Sequence, residues 1–443
     1  MRTAASDARL GFLSKRRFVI GASDTPFPGG ADLSAVSKAS GAPWILWGST
    51  LSPFALKVEA MLRFAGVPLR WLPAQGRFAE ALRFERRRRA LIRGRIALSW
   101  PERDPQGEFP LVPFLFGPRG ENLYDSSAIG VWLDAQGWTR EAPLLPRADA
   151  TLHFAVRLVD EALDEVGLYL AHHNRWVVSA RDNDAGARLA REMRPLLGPL
   201  APLLGRSFPA RQVRRLPYLF SVAPGGAQFA DLPARLRPPR RFGFPPTHAL
   251  LDGAYALLVS ALEPLLGAQP FLFGERFTIA DASVYGQLAM NRADPSADAR
   301  LRHLAPAVHG WVERIAHGEF RGHRRDGRLA LAPAHAPLLA WIADTFVPLM
   351  QQNHDAFEQH RARGETRFNE RAFDAGRALY DGVLCGHPFR SVAKSFQVRV
   401  WRALRREWDA LATDARAQLA TLLPAAVELD RDGFAAGTEI LTA

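Results

Sequence analysis

Between Val112 and Leu133 the chain reads VPFLFGPRGENLYDSSAIGVWL, and no other stretch restricts the possible folds so strongly. Val112 to Phe116 is a short apolar run bounded by turn residues, which predicts a buried strand. Gly117-Pro118-Arg119-Gly120 is turn chemistry, and Asn122 to Tyr124 supplies a second strand, so a hairpin is expected. Asp125-Ser126-Ser127 then precedes Ile129, Trp132 and Leu133, an apolar stripe at helical spacing. The serines therefore stand at a helix start, where backbone N–H groups and the positive dipole end favour a carboxylate. The stretch reads as half of a ligand-binding domain.

The preceding residues fit the same domain. Trp44 to Trp47 predicts a strand, and Phe54, Val58, Met61 and Leu62 make an amphipathic helix that Gly66 can end. Val67 to Leu72 supplies the next strand. Strand, helix and strand so closely spaced require a parallel pair with a crossover, to which the later hairpin adds antiparallel strands. Helix is also expected over Arg77 to Leu98, with the arginine run Arg86 to Arg89 read as a solvated face rather than a docking surface.

Downstream the period becomes helical. Leu152, Val156, Val159, Leu163, Val166 and Leu170 mark one face of a helix over residues 148–176, with Asp160, Glu161, Asp164 and Glu165 placed opposite. Leu250 to Leu265 and His303 to Ile315 predict further helices. Thr278 and Asp281, within FTIADASVYG, form a capping box. Residues 1–42 read as a flexible extension, and 179–247 as a Pro-, Gly- and Arg-rich insertion partly folded over the surface, either as a lid or as a cover on a dimer face. Residues 336–423 carry at least three amphipathic segments.

Composition excludes some chemistry. The single cysteine, Cys385, rules out an intramolecular disulfide and a cysteine-based structural zinc site. The net charge is +12, which suits nucleic acid or an anionic surface, but no nucleic-acid recognition motif accompanies it. No apolar run approaches the ~18–20 residues of a membrane span, and Phe18-Val19-Ile20 is too brief for a signal core, so a cytoplasmic protein is expected. His172 and His173 are adjacent on a helix and point about 100° apart, a poor metal pair; no metal is expected there or at His303, His309, His317 and His323.

Three elements in order resemble the glutathione transferase superfamily: WILWGSTLSPFALKVEAML, the Val-Pro before a hairpin followed by Asp-Ser at a helix start, and FTIADASVYG. The resemblance covers about residues 44–315. It implies an α+β architecture, with an N-terminal thioredoxin-like domain at 43–140 and an all-helical C-terminal domain at 148–330. The insertion at about 179–247 interrupts the second domain, and 331–443 is expected to add helices.

The resemblance further implies glutathione as co-substrate. Val112 and a cis-linked Pro113 would meet its cysteine backbone, and Asp125 and Ser126 its γ-glutamyl group. Ser52 would donate a hydroxyl to its sulfur, with Ser49 and Thr50 as competing hydroxyls in the same loop. Tyr169, His172, His173 and Trp176 would wall a pocket for a small hydrophobic electrophile. A homodimer is implied, with no nucleic-acid or membrane partner. Lys57 stands where many relatives have Arg. The loop has no cysteine, which argues against thiol-transfer chemistry through a protein mixed disulfide. The alternative is a non-catalytic relative that serves as a binding or scaffold protein.

Overall fold

The structure is a computed structural model that describes residues 42–101, 112–226, 229–320 and 326–430. The expectations for 1–41 and for the loop at 102–111 lie outside the described residues. Strand β1 (Trp44–Trp47) pairs in parallel with β2 (Leu69–Leu72) through helix α1 (Pro53–Phe64), and helix α2 (Phe78–Ile92) follows. Strand β3 (Phe114–Phe116) lies antiparallel to β1, β4 (Asn122–Tyr124) lies antiparallel to β3, and α3 (Ser126–Ala135) closes the unit. The sheet order β2-β1-β3-β4 is the thioredoxin-like βαβ…ββα arrangement the periodicities predict.

The register decides what this sheet can hold. Trp47 sits beside Phe114, and Phe114 beside Tyr124. The residues just after β1, just before β3 and just after β4 therefore share one end of the sheet. Both α1 and α3 begin at that end.

The helical half opens with α4, which runs through residues 150–178 and contains two π-type segments, Leu163–Gly167 and Asn174–Val178. Its acidic face differs from expectation. Asp160, Glu161, Asp164 and Glu165 are all buried, because α1 and the C-terminal segments cover the side that the periodicity assigns to solvent.

Residues 179–247 contain two helices, α5 (Ala185–Leu197) and α6 (Ala201–Arg215), each with a proline inside it. They touch closely. A Cβ on Gly186 would lie 2.4 Å from the Gly205 carbonyl oxygen, and one on Gly205 would lie 2.6 Å from that of Gly186. Only glycine permits this approach, and the pairing stabilises helices that Pro195 and Pro209 weaken.

Helices α7 (His248–Ala268), α8 (Ile279–Ala289), α9 (Pro295–Leu304) and α10 (Pro306–Ala316) complete the core of the second half. By length and composition α7 would span a membrane, yet Leu250, Leu251, Leu258, Leu262 and Leu265 are packed in the protein core. The capping box closes α8: the Asp281 carboxylate accepts from Thr278 N at 2.8 Å, from the Thr278 hydroxyl at 2.7 Å and from Leu272 N at 2.8 Å.

After α11 (Ala336–Asp344), α12 (Phe346–Ala362) and α13 (Glu370–Asp374) comes a hairpin, β5 (Leu379–Leu384) and β6 (His387–Val392), where helices are expected. Cys385 and Gly386, at φ 48° and 75°, make its turn. Both central residues of a two-residue turn of this kind have positive φ, which matches the twist of the strands. Helices α14 (Ser395–Asp409), α15 (Thr413–Ala420) and α16 (Ala426–Asp430) end the described chain.

Candidate functional site

The site lies at the sheet end that collects both helix starts. Ser52 is the N-cap of α1, and its hydroxyl oxygen accepts from Ala55 N at 3.4 Å. An accepting hydroxyl keeps its own O–H, so Ser52 can still donate one hydrogen bond. Pro53 at the first helical position needs no N–H partner and presets the helix.

The neighbouring hydroxyls are engaged. Ser49 and Thr50 both donate to the Glu192 carboxylate of α5, which also accepts from Thr50 N at 3.3 Å. Leu51 is buried with Trp176, Leu189, Val213 and Leu216, so the insertion holds this loop by packing as well.

Across the sheet end, Val112–Pro113 is a cis peptide, as expected, and Leu72–Pro73 and Trp100–Pro101 are cis as well. Gly48 lies against Val112: a Cβ on it would stand 4.0 Å from the valine Cβ. Asp125 caps α3, its carboxylate accepting from Ala128 N at 3.0 Å, with φ at 68°. A left-handed conformation in a non-glycine residue costs on the order of 1–3 kcal/mol and is retained where the surroundings impose it, commonly at ligand sites. Arg399 of α14 brings a guanidinium nitrogen to 3.8 Å from the Asp125 carboxylate. Ser126 is buried at the first turn of α3, its hydroxyl 3.5 Å from Asp164.

Beneath Ser126 lies a buried charge cluster. The Lys57 amine is 2.6 Å from Asp160, 2.7 Å from Asp164 and 2.7 Å from the Ser127 hydroxyl. Burial alone would lower the Lys57 pKa, but the two carboxylates more than offset it and hold the amine above its ordinary range. The cluster ties α1 and α3 to α4. Sequence shows the lysine but not its partners, because Asp160 and Asp164 read as a solvated face.

The four residues expected to wall the electrophile pocket are placed in different surroundings. The Tyr169 hydroxyl meets the Lys394 amine and accepts from Gln397 at 3.0 Å, while its ring stacks on Phe220. Burial pushes the Lys394 pKa down to about 8. His172 is half-buried, its Nδ1 lies 2.9 Å from the Leu168 carbonyl oxygen, and burial lowers its pKa to about 4. His173 is buried against the ring of His248, its Nδ1 3.8 Å from the Asp252 carboxylate, and the nitrogens of both rings have no hydrogen-bond partner among the described residues. Trp176 packs edge-on against Phe208 of the insertion.

Three of the four arginines in the run Arg86 to Arg89 are engaged locally, and Arg86 is exposed. Arg87 bonds Gly120 O, Glu121 O and Asn122, and Arg88 and Arg89 bond Glu85. Among the described residues, Asp298, His309 and Glu313 stand close enough to share an ion, but Arg302 pairs with Asp298 and Arg292 with Glu313. Two cations already balance that cluster.

With this geometry in view, residues 248–314, which cover α7 to most of α10, match the family model of the glutathione S-transferase C-terminal domain. That segment is therefore similar to the C-terminal domain of glutathione S-transferases. Solved structures similar to the chain include a glutathione S-transferase from Rhodospirillum rubrum F11. That pair is 16% identical over 67% of this chain and 91% of the other, with a TM-score of 0.32. A second, from Methylobacterium radiotolerans in complex with glutathione sulfonate, is 17% identical over 66% and 99%, with a TM-score of 0.32. A third, from Ceriporiopsis subvermispora in complex with glutathione, is 16% identical over 63% and 98%, with a TM-score of 0.35. Comparison with curated proteins finds no match.

Proposed function

We propose that this chain is a member of the glutathione S-transferase superfamily that binds glutathione at the sheet end and activates its thiol for attack on a small hydrophobic electrophile. The observation that carries the reading is the register, which brings Ser52, Pro113 and Asp125–Ser126 to one end of the sheet with two helix N-termini. The α3 start and the Ser126 hydroxyl suit the γ-glutamyl carboxylate, and the Asp125 carboxylate suits the neighbouring ammonium.

A thiol with a reference pKa near ~8.5 is mostly protonated at neutral pH, and only the thiolate is a strong nucleophile. A hydroxyl donor at a helix start stabilises that anion. A hydrogen bond to a charged group contributes about 1.5–3 kcal/mol, enough for one to two pKa units. Ser49 and Thr50 already donate to Glu192, which leaves Ser52 as the loop hydroxyl suited to the sulfur.

Ultraviolet titration of the bound thiolate tests this. Ser52→Ala is expected to leave glutathione affinity nearly unchanged while raising the pH at which thiolate absorbance appears, with turnover of a generic electrophile falling in parallel. A shift in Ser49→Ala or Thr50→Ala instead would move the role to that residue.

A non-catalytic binding function is the second reading. It is favoured by the burial of Tyr169 and Trp176 against the insertion and the C-terminal segments, and of His173 against His248 of α7. Calorimetric binding of glutathione with no turnover of any hydrophobic electrophile would support it over conjugation.

A further inference from the structure

Charge is unevenly distributed in this protein. Residues 193–251 contain nine arginines and a single acid, Asp231, and so carry two-thirds of the chain's net +12. Among the described residues, more than half of the arginines elsewhere pair with carboxylates, as Arg63, Arg157, Arg292 and Arg402 do. Within the insertion Arg188 and Arg191 share Asp184, and Arg215 pairs with Glu370. Arg194, Arg206, Arg211 and Arg214 are exposed, and no carboxylate among the described residues pairs with them.

Helix α6 arranges these residues by face. Its inner side, with Ala201, Gly205 and Val213, is buried, and Gly205 meets α5. At 3.6 residues per turn, Leu200, Leu203, Arg206, Arg211 and Arg214 fall within about 140° of the outer side. Leu200 and Leu203 are 60% and 58% exposed at the end where α6 meets α5, beside the exposed Pro199 and Pro202. An outward helix face with leucines at one end and unpaired arginines along the rest complements a surface that offers both negative charge and hydrocarbon.

We infer that the α5–α6 hairpin docks on an anionic lipid bilayer, with Leu200 and Leu203 entering the headgroup boundary and Arg206, Arg211 and Arg214 lying over acidic headgroups. A nucleic-acid backbone would satisfy the arginines but give the leucines nothing to bury, so the apolar end favours the bilayer. The attachment is peripheral. The docking face is formed by other residues than the sheet-end hydroxyls, so glutathione affinity serves as an independent control for folding.

The test is co-sedimentation of the full chain with vesicles of phosphatidylcholine and phosphatidylglycerol in equal parts, against vesicles of phosphatidylcholine alone. The chain is expected to bind the anionic vesicles only and to be released as salt shortens the screening length. Arg206→Glu/Arg211→Glu/Arg214→Glu should weaken binding by on the order of tenfold or more, since each arginine near such a surface contributes measurably. Leu200→Ser/Leu203→Ser should also weaken it, with helical circular dichroism unchanged in both variants. Three outcomes would overturn the inference: no binding, equal binding to neutral vesicles, or tighter binding to duplex DNA that the leucine variant leaves intact. A dimer in solution that Leu200→Ser/Leu203→Ser converts to monomer would also overturn it, since the face would then belong to a second copy.

Discussion

The sheet end and the shell that residues 179–247 and 336–430 build around it use polar side chains in opposite ways. At the sheet end, Ser52 and Asp125 cap helix starts and Ser126 occupies a first turn, so their chemistry is set by nearby backbone. In the shell, polar side chains reach across long stretches of chain to meet each other: Glu192 to Ser49 and Thr50, Lys394 to Tyr169, Gln397 to Glu165. A site built on caps forms when its own helix forms. One built on distant pairs forms only when the whole chain has assembled.

The largest effect that separates the two modes is expected at Lys57, which joins them. Lys57→Ala leaves Asp164 buried without its cation and Asp160 with Arg157 alone, and breaking a buried pair in this way costs about 3–5 kcal/mol. Chemical denaturation should record that loss. A cost below 1 kcal/mol would mean that the carboxylates are balanced from elsewhere and that the sheet end folds independently of α4.

Ser126→Ala probes the local mode. It should weaken glutathione binding by about 1–3 kcal/mol in calorimetry, the range for a lost hydrogen bond to a charged group. Unchanged affinity would place the γ-glutamyl group elsewhere.

The same contrast explains what could be read in advance. The thioredoxin-like unit was legible because β1 and β3 are short apolar runs and α1 and α3 have side-chain caps at Ser52 and Asp125; in the second half Thr278–Asp281 announces α8 within four residues. Helices α5 and α6 were not, because Pro195 and Pro209 interrupt the helical signal and the compensation comes from the contact between Gly186 and Gly205. The β5–β6 hairpin was missed because Cys385-Gly386 lacks the Asn-Gly signature and its strands are half-exposed. Ser52, Pro113, Asp125 and Ser126 were found at one end of the sheet, as the order of strands implied. Glu192 and Arg399 were not foreseen, since neither lies near the site in sequence.

Asp281→Ala tests a cap outside the site. The carboxylate serves Thr278 and Leu272, so its loss should lower stability by about 0.5–2 kcal/mol and leave glutathione binding intact. Equal melting temperatures for wild type and variant would show that α8 does not depend on its box.

The smallest expected effect belongs to His173, where the contact between α4 and α7 buries polar atoms without satisfying them. Among the described residues the ring nitrogens of His173 and His248 have no hydrogen-bond partner, and burial holds the His173 pKa well below its ordinary value. The unfolded chain protonates such a ring near pH 6.5 while the folded protein keeps it neutral, so the unfolded state binds the extra proton. Stability contributed by His173 is therefore complete above pH 6.5 and is lost as pH falls below it, at up to about 1.4 kcal/mol per pH unit. Buried carboxylates raised by desolvation, such as Glu165 at about 7, bind protons in the folded state over the same window and act in the opposite sense. The comparison must accordingly be between variants rather than across pH alone. His173→Phe keeps a ring and removes nitrogens that make no bond, so its stability at neutral pH should equal or exceed wild type by about 1 kcal/mol. Its denaturation midpoint should also fall less steeply than wild type between neutral pH and pH ~5, below the reference value of ~6.5 for histidine. Parallel pH profiles for the two proteins would show that the ring is already partnered in solution, and the distinction between the satisfied polar groups of sheet end and shell and this unsatisfied contact of α4 with α7 would fail.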